Sequence, residues 1–192
     1  YLNGDDFRSR CIADGPKSLR LVYNGIYSEQ VRTYDLTQSP DDRNRFILET
    51  RVSEEADVRA FTTDLSPPDL FAPWRPVESR VTLGATDIQR LELALKSSGF
   101  FEKPTFLGDL SSTQFYWLVS GCINGVFYLR AFVWPEDAFI EANFPKLLLS
   151  WDFTGIPLNR PRVTSLFQTF GNTNRRDNNV LFTIRIRENR IN

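Results

Sequence analysis

From Ser18 the chain alternates, with Leu19, Leu21 and Tyr23 on one side and Arg20 and Val22 on the other, which predicts an extended strand. Asn24-Gly25 follows, the dipeptide suited to the two positive-φ positions of a type I′ turn, so Ile26-Tyr27 and the run from Gln30 to Leu36 are read as the second arm of a hairpin. A polar turn, Ser39-Pro40-Asp41-Asp42-Arg43, leads to Phe46, Leu48, Thr50 and Val52 alternating with Arg45, Glu49 and Arg51, a strand with one wet face. Residues 58–65 read as another strand. Four prolines in 66–76 then exclude helix and predict an extended loop around Phe71 and Trp74.

The pattern changes period once. Ile88, Leu91 and Leu95 recur at helical spacing, Thr86 with Gln89 reads as a capping box, Asp87 sits in the first turn and Gly99 follows the last, predicting one amphipathic helix over 86–98. Residues 114–123 and 126–134 are then two apolar runs joined by Asn124-Gly125, a hairpin signal, and both faces of the first run are apolar. That predicts a central hairpin covered on both sides, with Trp117 and Trp134 as core or cross-strand partners. Short helices fit 136–142 and 145–151, with Asn143 as cap and Pro145 in the first turn. Residues 155–179 read as long polar loops. Val180, Phe182, Ile184 and Ile186 form a last strand. The order predicts an α+β protein: an N-terminal arm over 1–17, then a single domain over 18–192 on a mostly antiparallel sheet.

Composition narrows the chemistry. Among 192 residues there is no histidine, which removes the imidazole base of Ser-His-Asp hydrolases and the histidine-containing metal sites. Two cysteines, Cys11 and Cys122, are too few and too far apart for a zinc or CxxC motif. They make one bridge, worth about 4–5 kcal/mol in the chain-entropy model for a loop of about 110 residues, or they stay reduced with Cys122 as a small buried hydrophobe. The glycines form neither GxGxxG nor GxxxxGK[ST], so no nucleotide site is expected. No cofactor and no metal is implied, and no catalytic residue stands out.

Carboxylates cluster at Asp5-Asp6, Asp41-Asp42, Glu54-Glu55 with Asp57, and Glu136-Asp137, spacings that suit solvated turns rather than a calcium loop. Asp152-Phe153-Thr154-Gly155 differs from the Asp-Thr-Gly of aspartic proteases by the inserted Phe153, so Asp152 is read as a turn residue bonding nearby backbone. Charge is uneven. Residues 160–192 carry seven arginines against Asp177 and Glu188, on a chain of net charge −1 and isoelectric point about 5.6. The mild acidity argues against nucleic acid, and the arginines of 155–179, Arg160, Arg162, Arg175 and Arg176, are read as a docking surface for an acidic protein partner.

No apolar run approaches the ~20 residues of a membrane-spanning helix. The chain lacks methionine and starts at Tyr1, from which a processed export signal or a lipid anchor upstream of Tyr1 is expected. The expected function is a non-enzymatic binding or assembly protein outside the cytoplasm, periplasmic, surface-attached or secreted, as an accessory subunit or surface protein. The alternatives are a lipid- or sugar-binding protein with an aromatic cleft and, third, a carboxylate-based hydrolase.

Overall fold

A computed structural model describes residues 8–13, 15–54, 76–103, 106–163, 182–187 and 190–191. Its elements run β1 (Ser18–Gly25), β2 (Gln30–Gln38), β3 (Arg45–Glu54), β4 (Val77–Gly84), α1 (Ala85–Ser97), β5 (Gly108–Ser111), β6 (Phe115–Ile123), β7 (Val126–Val133), α2 (Asp137–Ile140), α3 (Phe144–Ser150), β8 (Thr183–Arg187) and β9 (Arg190–Ile191). Six strands make one antiparallel sheet in the order β4-β3-β2-β1-β6-β7, and β5, β8 and β9 make a smaller one. The fold is α+β. No helix among the described residues is long and apolar enough to cross a membrane.

Alternation decides which face each residue takes. Leu19, Leu21 and Tyr23 share one face with Tyr34, Leu36, Phe46, Leu48, Trp117, Val119 and Phe132, and meet Ile88, Leu91 and Leu95 of α1 and Phe144 and Leu148 of α3 in one core. On the opposite face Val22, Tyr116, Leu118, Leu129, Ala131 and Val133 pack on Leu110 and Ile186 of the smaller sheet. The half of the sheet made of β1, β6 and β7 is therefore a sandwich, and all nine residues of β6 are buried. The half made of β2, β3 and β4 turns a row of charge outward: Asp35, Glu49, Arg51, Glu78 and Arg80.

α1 starts directly after Gly84 at the β4 edge. Its C-terminal end reaches β7, where Arg130 donates to the Gly99 carbonyl and the Phe100 ring lies 5.6 Å from Tyr128. The helix thus runs from the β4 edge of the sheet towards β7. Its buried stripe is the expected one, and Gly99 takes φ 74° just past its end, where only glycine is unstrained. The cap differs from the expectation: the Gly84 amide donates to the Asp87 carboxylate at 3.1 Å, so Asp87 rather than Gln89 closes the first turn and Thr86 lies inside the helix.

The β1–β2 hairpin forms, but Asn24-Gly25 does not turn it. Both stay in β1, paired with Tyr116 and Phe115 of β6, and the chain reverses at Ile26, whose φ is 62°. Tertiary contacts override the local preference: the Asn24 amide donates to the carbonyls of Ser112 and Gln114, and a Cβ on Gly25 would meet Tyr23 and Asn159. At Asn124-Gly125 the local signal holds, with φ 51° and 76°. The hairpin is less central than expected, since β7 is an edge strand among the described residues. Trp117 stands opposite Phe132, while Trp134 lies past β7 and meets Phe115. Strand β4 and the second sheet were not legible beforehand, and the expected strand over 58–65, with 66–75 of the proline-rich stretch, lies outside the described residues.

Candidate functional site

Trp117, one of the aromatic residues that a ligand cleft could use, lies in the core. Trp117 has Tyr23 at 4.9 Å, Phe144 at 5.5 Å and Tyr34 at 6.0 Å between ring centroids, and is itself 2% exposed. There is no room left for a guest at that centre.

Asp152 is a turn residue with a second task. Its Oδ1 accepts from the Thr154 amide at 2.9 Å and the Thr154 hydroxyl at 2.6 Å, the local bonding expected of it. Its Oδ2 accepts from Arg32 Nη1 at 2.5 Å and from the Tyr34 hydroxyl at 2.9 Å, in a pair whose side chains are almost wholly buried. Arg32 also donates to Gln30 Oε1 and to the carbonyls of Ile156 and Pro157. Burial pushes the Asp152 carboxyl up, but the Thr154 hydroxyl and amide, the Tyr34 hydroxyl and the Arg32 charge outweigh it and hold the group below the usual carboxylate range. Burial, then the neighbouring carboxylate, raises the Tyr34 phenol. Asp152 is thus held towards its ionised form and Tyr34 towards its protonated one, in keeping with a structural hydrogen-bond cluster.

What the cluster does is pin residues 152–162. Further along that strap, the Tyr23 hydroxyl donates to the Asn159 carbonyl at 2.5 Å, Asn159 Nδ2 donates to Gly25 and Glu29, and Gln30 bonds both Pro157 and Asn159. The arginines expected to dock a partner fare unequally. Arg162 pairs with Glu29 at 2.5 Å beside the Phe115 ring, so its charge is met within the chain. Arg160 is exposed at the surface of the strap, and Arg175 and Arg176 lie outside the described residues.

On the open half of the sheet, Arg51 bridges Asp35 (3.2 Å), Glu49 (3.0 Å) and Glu78 (2.9 Å), and Arg20 holds Asp35 at 2.6 Å. A depression of about 210 Å³ lies beside Arg51. Each of these carboxylates is paired with a guanidinium, and together they make a salt-bridge lattice on this face. Among the carboxylate pairs seen in the sequence, Asp41-Asp42 are exposed in the β2–β3 turn and Glu136-Asp137 are exposed at the start of α2, while Asp5, Asp6, Glu55 and Asp57 lie outside the described residues. Among the described residues no group of three or more Cys, Asp or Glu is placed to hold a metal.

The surface feature that none of these contacts uses is a groove between α1 and the β6–β7 hairpin, about 670 Å³ in volume. One wall is the flank of α1 with Gln89, Glu92 and Lys96, and Leu93, nearly opposite the buried stripe at 100° per residue, forms its outer lip. The other wall is Ile123, Val126, Tyr128 and Phe101, the last two in an edge-to-face pair at 5.1 Å. Leu93 is 67% and Val126 49% exposed. Ile140, Phe153 and Val163 are also exposed, but none of them lines this groove, and single exposed apolar residues are ordinary. Leu93 was overlooked in the sequence because only the buried stripe of the helix was read; an apolar residue on its polar side was the signal.

A second cleft of about 430 Å³ also touches Asn124, and is lined by Ala13, Gly15, Pro16 and Lys17 of the arm and by Gln38, Ser39, Pro40 and Arg43 at the β2–β3 turn. Lys17 Nζ donates to Glu92 at 2.7 Å. The arm is held there by the Cys11–Cys122 disulfide, Cα–Cα 5.4 Å, by Arg8 over the Phe127 ring at 4.5 Å, and by Ala13 against Gly125, where any Cβ would collide. Comparison with protein-family models, with curated proteins and with solved structures finds no match to this chain.

Proposed function

We propose that this is a non-enzymatic binding or assembly protein that works outside the cytoplasm, as an accessory subunit or surface protein, and that it takes a polypeptide partner in the groove between α1 and the β6–β7 hairpin. The observation that carries this reading is a groove whose lining includes the exposed apolar side chains Leu93 and Val126 beside Ile123, Tyr128 and Phe101. Apolar area left in water costs roughly 25 cal/mol per Å², so a partner that covers it gains that much. The Cys11–Cys122 bridge supports an oxidising compartment.

Small-ligand binding fits less well. A pocket for a lipid or sugar encloses most of its guest, whereas this groove is open to solvent on both sides and Trp117 is packed inside the core. The test is to isolate the native protein from its own source after mild cross-linking and to compare it with Leu93→Asp. The expected result is a stoichiometric complex with one polypeptide, lost in the variant while the circular-dichroism melting curve is unchanged. A protein that stays monomeric throughout, and carries a bound lipid or oligosaccharide by mass spectrometry, overturns the reading.

A further inference from the structure

We infer that this chain pairs with a second copy of itself along the outer edge of β4, antiparallel and with Ser79 against Ser79, so that Glu78 of each copy meets Arg80 of the other. The inference stands apart from the groove, which no residue of β4 lines. Among the described residues the six-stranded sheet ends in β4 on one side and β7 on the other, and the two edges differ. In β7 every residue from Leu129 to Val133 is buried. β4 is open: Val77 is 43% exposed, and the side chains of Glu78 and Arg80 are 59% and 65% exposed. An open edge is a row of backbone donors and acceptors that templates another strand, and charge of one sign guards against a copy of the same strand. Here the charges have both signs.

Backbone parity and charge together fix the register. The Ser39 amide donates to the Arg45 carbonyl at 2.8 Å, so odd-numbered residues of β3 bond towards β2 and even-numbered ones towards β4. The β3–β4 register is unbroken and pairs Leu48 with Val81 and Thr50 with Ser79. Ser79 and Val81 therefore bond inward, while Glu78, Arg80 and Thr82 turn their N–H and C=O groups outward. Gly84, of the same parity, sends its amide to the Asp87 carboxylate. A second β4 must set its own outward residues against these, which excludes every register displaced by one residue. The nearest registers of the right parity set Arg80 against Arg80 or Glu78 against Glu78, and like charges directly opposite destabilise a pair. With Ser79 against Ser79, Glu78 and Arg80 form bonded cross-strand pairs on the face that carries Glu49 and Arg51, and Val77 meets Val81 on the face that packs against the core. Arg80 is open to this pairing, since its contact with Glu49 is 3.7 Å, beyond hydrogen-bond range. The arrangement is isologous, with each contact made twice.

Sedimentation velocity on the disulfide-bonded chain from roughly 5 to 500 μM should show a monomer–dimer equilibrium, since a single strand pair lies at the small end of specific interfaces. Glu78→Arg and Arg80→Glu each set like charges opposite and should raise the dissociation constant at least tenfold, as an order of magnitude. An equimolar mixture of the two variants should associate as the parent does, and so should the chain carrying both changes. Leu93→Asp should leave self-association unchanged. Ser79→Cys should form an intermolecular disulfide on mild oxidation, because facing residues at a non-bonded position lie about 4.5 Å apart between Cα atoms, and both native cysteines are already bridged. Thr82→Cys, about 20 Å from its own copy along the extended strands, should not. A chain monomeric over the whole range, single variants that dimerise like the parent, a mixture that fails to recover, self-association lost in Leu93→Asp, or equal cross-linking of the two cysteine variants overturns the inference. So does a different polypeptide seated on this edge of a chain that stays monomeric.

Discussion

The strap over residues 152–162 and the groove beside α1 are built from similar residues and behave oppositely. Both combine cations with apolar side chains on the same face of one sheet. In the strap every described charge except Arg160 is met within the chain: Arg32 by Asp152, Arg162 by Glu29, with Gln30 and Asn159 tying the backbone between them. In the groove beside α1 the Lys17–Glu92 pair meets one acidic side chain of the lining, and Lys96, Leu93 and Val126 are exposed. Density of arginine along a sequence therefore says little about docking. Whether a charge already has a partner inside the fold says more.

The largest effect expected is at the strap. Arg32→Ala leaves the Asp152 carboxylate buried without its cation and should cost about 3–5 kcal/mol, read from urea denaturation. A pair changed together to Met and Leu, removing both charges, should cost much less. Similar losses for single and double changes would mean that the pair is not what pins the strap. Acid sharpens the same point. Because Asp152 titrates below its unfolded value, its contribution is complete above about pH 4 and is lost as pH falls through its folded-state value. Asp152→Asn should therefore be less stable than the parent at pH 7 and converge on it under acid; parallel curves would sink the assignment.

Next in size is the bridge. Cys11→Ser with Cys122→Ser should lower stability by about 2–4 kcal/mol, because the loop it closes spans 111 residues.

How far the sequence could be read follows the range of the interactions involved. The hairpin at Asn124-Gly125 and the helix with Ile88, Leu91 and Leu95 were legible because their signals are local, and so were the α+β class and the edges of β3. Asn24-Gly25 misled because contacts with Ser112, Gln114 and Asn159, distant in sequence, decide its conformation. The turn role of Asp152 was visible from Thr154 two residues on, but its pairing with Arg32, 120 residues away, was not. β4 escaped even though Val77, Ser79, Val81 and Leu83 alternate in full view; the prolines before it drew attention to a loop. The groove was the least legible of all, since its lining brings together residues of α1 and of the β6–β7 hairpin that lie far apart in sequence, Gln89 to Lys96 in the one and Ile123 to Tyr128 in the other.

The smallest stability effect is expected where the binding effect is largest. Leu93 touches solvent over most of its surface, so Leu93→Asp removes little buried area and adds a carboxylate to a helix flank that already carries Lys96 three residues on. The stability change should lie within about 0.5 kcal/mol of zero. Arg162→Ala, by contrast, breaks a surface pair with Glu29 and should cost about 0.2–1 kcal/mol without touching partner binding. The two variants thus separate the regions from opposite sides, one altering binding alone and the other stability alone. If Leu93→Asp instead destabilised the fold by several kcal/mol, its side chain would be serving the core, and the contrast between a satisfied strap and an open groove would collapse at its most exposed residue.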